Sequence, residues 1–203
     1  MVKIKICGIT NMDDALFAAR SGADYLGFVF AKSKRRVTPL SAKKIIQKLP
    51  KRIKTVGVFV NEDHRKINAI AKYCKLDIVQ LHGDERPVLI KKIKPDVIKA
   101  FRIKSMKDIG SIKKYKNVYA VLLDSYVKGR RGGTGEKFNW DIAKNVVGAG
   151  IKVFLAGGVS PNNVKKAIKY VKPFAVDSSS CLERSIGVKD HKKVRALIRK
   201  ARS

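Results

Sequence analysis

The sequence has 203 residues, 45% of them hydrophobic, which excludes a disordered chain and is enough for one well-buried core. Its formal net charge is +30, because 46 lysines and arginines stand against 16 aspartates and glutamates. Such an excess is typical of nucleic-acid binding, contact with anionic membranes or attraction of an acidic substrate. The basic residues are spread over nearly every segment, which favours a solvated lysine-rich surface that also attracts an anionic substrate.

The cysteines and the hydropathy pattern predict where the protein resides. Cys7, Cys74 and Cys181 are odd in number, widely spaced and without metal-ligand spacing, as is typical of a reducing compartment. Residues 1–10 lack the apolar stretch of a signal peptide, and no apolar run approaches the roughly twenty residues that span a bilayer. We therefore expect a cytoplasmic protein with no membrane segment.

Short strand-like runs recur along the whole chain. They are rich in β-branched and aromatic residues, and several are continuously apolar, as strands buried on both faces of a parallel sheet are. The predicted strands are residues 2–7, 25–30, 55–60, 78–81, 97–101, 118–123, 152–156 and 174–176.

Amphipathic helical patterns lie between and after these strands. Asn11 is a candidate N-cap for the first helix, and Pro161 lies near the start of the seventh, where a missing N–H costs least. The predicted helices are residues 12–21, 41–49, 63–73, 85–93, 106–115, 140–147, 162–171 and 189–201.

Eight strands that alternate with eight helices predict a parallel α/β fold. An open doubly wound sheet and a closed barrel both fit this alternation, and the count of eight units favours the (β/α)8 TIM barrel. A length near 200 residues is at the lower edge for that fold, so we expect one compact domain over residues 1–203 with short loops.

Active sites of such barrels lie at the carboxyl ends of the strands, so reactive residues there are candidates. Cys7 ends the first predicted strand, and Asp124 follows the sixth. A lone cysteine is usually a small inert hydrophobe, but its thiolate can also remove a carbon-bound proton. An aspartate here is either a turn or cap residue or a general acid that protonates a sugar ring oxygen.

The ends of the seventh and eighth strands carry small residues. Gly157 and Gly158 follow one strand, and Asp177 and Ser179 belong to the polar run at the end of the other. Barrels frequently bind phosphate with the loops after these two strands, and small residues let backbone N–H groups approach it. The alternative is that both segments are simple tight turns.

Three further segments are candidates with plain alternatives. Arg35 or Arg36 after the second strand could hold a carboxylate or form a solvated turn. Gln80 and His82 end the fourth strand, and His82 could titrate or only line the site. The glycine-rich segment 128–135 could close over a ligand or be an ordinary turn, and it lacks the Lys-Ser/Thr ending of a P-loop.

Together these residues form a set of motifs, and over essentially the whole chain the sequence resembles those of the phosphoribosylanthranilate isomerases. KICGIT at 5–10, VQLHG at 79–83 and GGTGEKFNW at 132–140 are the most specific in combination. The others are GFVF at 27–30, SKRRV at 33–37, VGVFVN at 56–61, LLD at 122–124, LAGGVSPNNV at 155–164 and PFAVDSSS at 173–180.

The resemblance implies a barrel that converts N-(5-phosphoribosyl)anthranilate to 1-(2-carboxyphenylamino)-1-deoxyribulose 5-phosphate, with no cofactor or metal. It implies Cys7 as general base, Asp124 as general acid and Arg35, more than Arg36, as the holder of the anthranilate carboxylate. It also implies a phosphate cradle formed by Gly157, Gly158 and Ser179. Asp177 is implied to line the site. The expected partner is this anionic substrate, and the chain could be a monomer or a homodimer.

Acid and base need opposite protonation states at neutral pH, so we expect a helix or basic surroundings to lower the pKa of Cys7.

Two positions depart from the family pattern. Cys181 stands where a glycine is usual after the last serines, and Ile186 stands where a proline is usual before Gly187. The loop before Ser33 is also one residue short. A side chain at Cys181 could narrow the phosphate loop or require another backbone angle.

Two rival functions are compatible with parts of the sequence. Another phosphate-binding barrel, such as an indole-glycerol-phosphate synthase or a ribulose-phosphate epimerase, needs a lysine–glutamate set or paired aspartates with a metal. The strand ends offer Cys7 and Asp124 instead. A basic nucleic-acid-binding protein would suit the charge, but no helix-turn-helix, zinc-finger spacing or RNP-type motif is present, so we expect no specific nucleic-acid partner.

Overall fold

Eight parallel strands close into a barrel in the computed structural model, which describes residues 1–103, 109–115, 117–125 and 140–203. Each strand pairs in parallel with the next one along the chain, and the last pairs with the first. The fold class predicted from the alternation is therefore confirmed. The barrel strands are β1 Lys3–Cys7, β2 Tyr25–Val29, β3 Lys54–Phe59, β4 Ile78–Leu81, β5 Asp96–Ile103, β6 Ala120–Ser125, β7 Val153–Leu155 and β8 Ala175–Ser178.

Helices follow the strands along the chain and cover the outside of the barrel. The α-helices are α1 Met12–Ser21, α2 Pro39–Ile46, α3 His64–Cys74, α4 Ile109–Ile112, α5 Trp140–Gly148, α6 Val164–Val171 and α7 His191–Arg202. Among the described residues, no helix is both long enough and apolar enough to cross a membrane.

Side chains alternate along the strands between two separate apolar layers. One layer fills the barrel interior, where Phe154 lies with its ring edge-on to Tyr25 at 5.2 Å. The other lies between the strands and the surrounding helices and contains Ile4, Ile6 and Leu26. Strands buried on both faces explain the continuous apolar runs of the sequence.

Local capping sets the ends of the helices. The Asn11 side chain accepts a hydrogen bond from the Asp14 amide at 2.9 Å, as predicted for the first N-cap. The same helix ends at Gly22, whose φ of 107° is in the left-handed region that favours glycine. At α7 the cap is Asp190, which accepts from the Lys192 and Lys193 amides.

Several predicted helices have other bounds in the structure, since 41–49 is observed as Pro39–Ile46 and 106–115 ends at Ile112, and two further helices differ more clearly. Residues 85–93 were predicted as a helix, but a 3-10 helix spans only Pro87–Lys92, in a segment that Pro87 opens. The last helix begins at His191 rather than at Lys189, because Lys189 belongs to a small antiparallel pair, β9 Glu183–Ser185 and β10 Val188–Lys189. The start of the predicted helix 106–115 and the segment 128–135 lie outside the described residues.

Replacement of Phe154 by alanine tests the barrel interior. Phe154 is fully buried, so Phe154→Ala is expected to lower the free energy of unfolding by about 3–5 kcal/mol in urea titrations. The control Val88→Ala removes a side chain that is 61% exposed and is expected to change it by less than about 0.5 kcal/mol. A loss below about 1 kcal/mol for Phe154→Ala would contradict a closely packed interior.

Candidate active site

A cavity of about 310 Å³ opens at the carboxyl ends of the strands. Nine of the ten candidate residues named from the sequence line it, and they come from six strands or the loops that follow them. They are Cys7, Arg35, Gln80, His82, Asp124, Gly157, Gly158, Asp177 and Ser179. Arg36, the alternative to Arg35, is not among the lining residues.

A buried ion pair underlies the cavity beside Cys7. Lys5 lies two residues before Cys7 on β1, so both side chains project to the barrel interior. The Lys5 Nζ lies 2.9 Å from Asp177 Oδ1 on the paired strand β8, and Lys5 is fully buried. Burial works to lower the pKa of Lys5, but Asp177 and Cys7 outweigh it, so the net shift is upward.

The surroundings of Cys7 do not lower its pKa as expected. The thiol is 8% exposed, and burial raises its pKa above the ordinary value of 9.0. The ammonium groups of Lys5 and Lys189 act in the opposite direction, while Asp177 adds to the rise. Desolvation of a thiolate therefore exceeds the stabilisation that the two buried lysines provide.

A hydrogen-bonded pair at the end of β4 faces Asp124 on β6. The Gln80 Nε2 lies 2.8 Å from His82 Nδ1, and His82 Nε2 lies 3.6 Å from Asp124 Oδ2. When the Gln80 amide donates to Nδ1, a neutral imidazole carries its proton on Nε2, the nitrogen that points toward Asp124. The Gln80 Oε1 is the one fully buried side-chain N or O atom without a partner among the described residues.

The guanidinium of Arg35 is already paired. Its Nε and Nη2 donate to the two carboxylate oxygens of Glu183, both at 2.7 Å. The Lys189 Nζ binds the same carboxylate at 3.1 Å and donates to the Ser179 carbonyl at 3.2 Å. Burial works to raise the pKa of Glu183, but Arg35 and Lys189 outweigh it and hold the pKa low.

Sequence reasoning missed Lys5, Glu183 and Lys189. The sequence does contain a signal for Lys5. It stands two residues before Cys7 in a predicted strand, and side chains two positions apart in a strand lie on the same face. Glu183 and Lys189 carry no such local signal, since their role depends on Arg35, which lies 148 residues before Glu183.

The loops after β7 and β8 are small-residue turns joined to each other. Gly157 and Gly158 have φ values of 74° and 84°, and two consecutive left-handed residues require glycine. The Gly158 carbonyl accepts from the Asn163 side chain at 2.9 Å, and Ser178 Oγ donates to the Val159 carbonyl at 2.6 Å. These bonds give both loops a fixed backbone next to the cavity.

The two departures from the family pattern fit an ordinary backbone. Cys181 lies in a short 3-10 turn, Ser180–Leu182, and neither it nor Ile186 has a positive φ. Cys181 lines the cavity, beside the loop that follows β8. Gly187 keeps a left-handed φ of 82°, which explains the glycine there.

Within the described ranges, no group of three or more His, Cys, Asp and Glu side chains is arranged to hold a metal ion.

The closed barrel, with a thiol and a carboxyl group facing one cavity at its carboxyl rim, defines the class of protein: a (β/α)8-barrel enzyme. The family model described as N-(5'phosphoribosyl)anthranilate (PRA) isomerase matches residues 4–200. The chain therefore belongs to the PRA isomerase family, enzymes of tryptophan biosynthesis.

Named relatives agree with this assignment over their full lengths. The N-(5'-phosphoribosyl)anthranilate isomerase of Geobacter sulfurreducens is 49% identical over 100% of this chain and 99% of its own, and that of Trichlorobacter lovleyi is 47% identical over 100% and 98%. The crystal structure of the Thermotoga maritima enzyme is 42% identical, with a TM-score of 0.94 over 100% of this chain and 99% of that one.

One solved relative contains a ligand. It is a phosphoribosyl anthranilate isomerase in complex with reduced 1-(o-carboxyphenylamino)-1-deoxyribulose 5-phosphate, 41% identical with a TM-score of 0.88 over 100% of this chain and 99% of that chain. A second is described as monomers generated from the dimeric Thermotoga maritima enzyme, with 41% identity and a TM-score of 0.90 over the same shares.

The contact between β1 and β2 at Cys7 gives a testable requirement for glycine. A Cβ added at Gly27 would lie 2.7 Å from Cys7 Sγ and 3.2 Å from Cys7 Cα, so Gly27→Ala must displace Cys7. We expect it to lower the free energy of unfolding by about 1–3 kcal/mol in urea titrations.

The matched control is Gly148→Ala at the end of α5, where an added Cβ meets nothing within 4 Å. Its effect is expected to lie between no change and a gain of about 1 kcal/mol. Equal stability of the two variants would show that the Cys7–Gly27 contact is loose.

Proposed function

We propose that this chain isomerises N-(5-phosphoribosyl)anthranilate with Cys7 as general base and Asp124 as general acid. The observation that carries the proposal is that one cavity is lined by both residues, by Arg35 and by the glycine and serine loops after β7 and β8. The compound bound in the solved relative has a phosphate at one end and an aromatic carboxylate at the other. This cavity offers groups of matching chemistry for both ends.

For the phosphate end we propose Gly157, Gly158 and Ser179. The two left-handed glycines present backbone without Cβ atoms, and Ser179 adds a hydroxyl beside them. The hydrogen bonds of Gly158 and Ser178 fix these loops before a ligand arrives. A preformed cradle of this kind loses little entropy when a phosphate binds.

For the carboxylate end we propose Arg35. A guanidinium has five N–H donors, and Glu183 uses one on Nε and one on Nη2. The remaining donors can still bind a carboxylate in a bidentate manner. The Arg35 side chain is 26% exposed and lines the cavity, so these donors are within reach of a ligand.

The first chemical step is proton donation by Asp124. The carboxylic acid gives its proton to the furanose ring oxygen, the bond from C1 to that oxygen breaks, and the nitrogen lone pair forms a protonated Schiff base. His82 Nε2 lies 3.6 Å from Asp124 Oδ2, so a small approach on substrate binding would let it donate to this carboxyl group and orient it, while Gln80 fixes the His82 ring at 2.8 Å.

The second step is proton removal by Cys7. The thiolate takes the proton from C2, and the electron pair moves to form the C1–C2 double bond of an enolamine and neutralises the nitrogen. Protonation at C1 and loss of the hydroxyl proton at C2 then give the ketone. The positive charges of Lys5 and Lys189 stabilise the thiolate, which is the reactive form.

The predicted partners remain predictions for this chain. We expect a small anionic substrate and either a monomer or a homodimer; the Thermotoga maritima relative is described as dimeric. We expect no specific nucleic-acid partner.

Removal of either proposed proton-transfer group should abolish most turnover. In Cys7→Ala and in Asp124→Asn we expect kcat to fall by about 10²–10⁴-fold, the usual contribution of general acid–base catalysis. The assay follows loss of anthranilate-type fluorescence with freshly generated substrate. Circular dichroism of both variants checks that the fold is kept, and kcat within threefold of the unaltered protein would contradict the assignments.

The pH dependence should reflect the buried thiol. Because burial raises the pKa of Cys7 above 9.0 and only the thiolate is alkylated, the rate at which iodoacetamide modifies Cys7 should rise with pH and still be rising at pH 9, with Cys7→Ala as the control for the other cysteines. A parallel series of circular dichroism spectra separates this limb from alkaline unfolding. A modification rate that levels off below pH 8 would show that the free enzyme holds Cys7 as a thiolate, against this prediction.

A further inference from the structure

Glu183 is the one acid that two cations share at the rim of the cavity in the described part of the chain. It binds Arg35 through both oxygens at 2.7 Å and Lys189 through Oε1 at 3.1 Å. The side chains of Glu183 and Lys189 are only 6% and 1% exposed. The Arg35 side chain, which lines the cavity, is 26% exposed. The mechanism proposed above does not use Glu183, and it uses Lys189 only for the positive charge that stabilises the Cys7 thiolate.

We propose that Glu183 is a positioning residue that orients Arg35 and thereby sets the preference for a substrate that carries a carboxylate. The inference rests on the proposed function, because it concerns the same cavity and the same arginine. Glu183 itself does not contact the reacting atoms.

The geometry supports this role through the shape of the guanidinium group. An arginine side chain has four rotatable torsions, and an unpaired one would sample many orientations at the mouth of the cavity. Two parallel hydrogen bonds to one carboxylate define the plane of the guanidinium. The Nη1 group and the second Nη2 hydrogen are then left for a second carboxylate.

Lys189 in turn fixes Glu183. Its buried ammonium bonds the Glu183 carboxylate and the Ser179 carbonyl, and its backbone amide donates to Asp14 at 2.8 Å. The carboxylate end and the proposed phosphate loop are therefore connected through a single buried lysine. Their separation is set before the substrate binds.

The charges of the cluster also favour an anionic ligand. Arg35 and Lys189 each carry one positive charge, and Glu183 carries one negative charge, which leaves an excess of +1 beside the cavity. A carboxylate placed on the free edge of Arg35 would neutralise that excess. Pairs of this kind contribute more to orientation than to stability when buried.

A merely electrostatic role for Glu183 predicts the opposite effect of mutation. If Glu183 only reduced the positive potential, its neutralisation would strengthen binding of an anionic substrate and lower KM. If it orients Arg35, neutralisation loosens the arginine and raises KM. The sign of the change in KM therefore separates the two explanations.

Glu183→Gln is the direct test, because it keeps the size and removes the charge and one acceptor. We expect KM for phosphoribosylanthranilate to rise about ten- to a hundredfold, the loss expected for one charge-assisted hydrogen bond. We expect kcat to stay within about threefold, because the carboxylate is remote from the reacting carbons.

Asp24→Asn is the matched control. Asp24 is likewise shared by an arginine and a lysine, Arg202 at 2.8 Å and Lys3 at 3.1 Å, but it lies before β2 at the opposite end of the barrel. Its removal should leave KM and kcat unchanged within about twofold.

The double variant Glu183→Gln/Lys189→Met leaves no unpaired buried ammonium, and it should show the same rise in KM.

A double-mutant cycle with Arg35→Met distinguishes positioning from general damage to the loop. Once the arginine is absent, Glu183→Gln should change KM by less than about twofold. A lowered or unchanged KM in Glu183→Gln, or an equal effect in both backgrounds, would overturn the inference and leave the proposed function standing. Absence of turnover by the unaltered chain would overturn both.

Discussion

The pairing of β1 with β8 is the constraint on which the site depends. It closes the barrel and places Lys5 opposite Asp177, residues 172 positions apart in the sequence. Cys7, two residues further along β1, consequently lies next to the loops after β7 and β8 and shares a cavity with Asp124. An open sheet with the same strands would leave β1 and β8 on separate edges and would divide these residues between two sites.

Charge is organised differently at the surface and at the cavity. The chain has only 16 acidic residues against 46 basic ones, yet Asp177 and Glu183 pair with buried lysines at the rim. Buried ion pairs contribute little net stability, because desolvation offsets most of the attraction, so their value here is positional. They hold cations at defined places beside the thiol and beside the proposed carboxylate site, where a diffuse surface charge could only attract a ligand.

The sequence was sufficient for the fold and for the residues at the strand ends, but not for their environment. Cys7 and Asp124 were predictable because parallel strands bring their carboxyl ends to one rim. The pairing of Arg35 with Glu183 was not, since it joins two loops that no local pattern relates. Nor was the raised pKa of Cys7, which depends on how far burial exceeds the effect of two lysines. The prediction that the last helix begins at Lys189 was wrong, because this residue belongs to the antiparallel pair β9–β10.

The most direct test of the proposed chemistry is a kinetic isotope effect with substrate deuterated at C2 of the ribose, measured in single turnovers of the unaltered protein, Cys7→Ser and Asp124→Asn. A serine hydroxyl stays protonated at neutral pH and is a weaker base than a thiolate. Cys7→Ser should therefore make C2 proton removal slower and increase the isotope effect. Asp124→Asn should slow ring opening instead and decrease it. An isotope effect unchanged in both variants, or changed in the opposite directions, would contradict the assignment of Cys7 and Asp124 to these two steps.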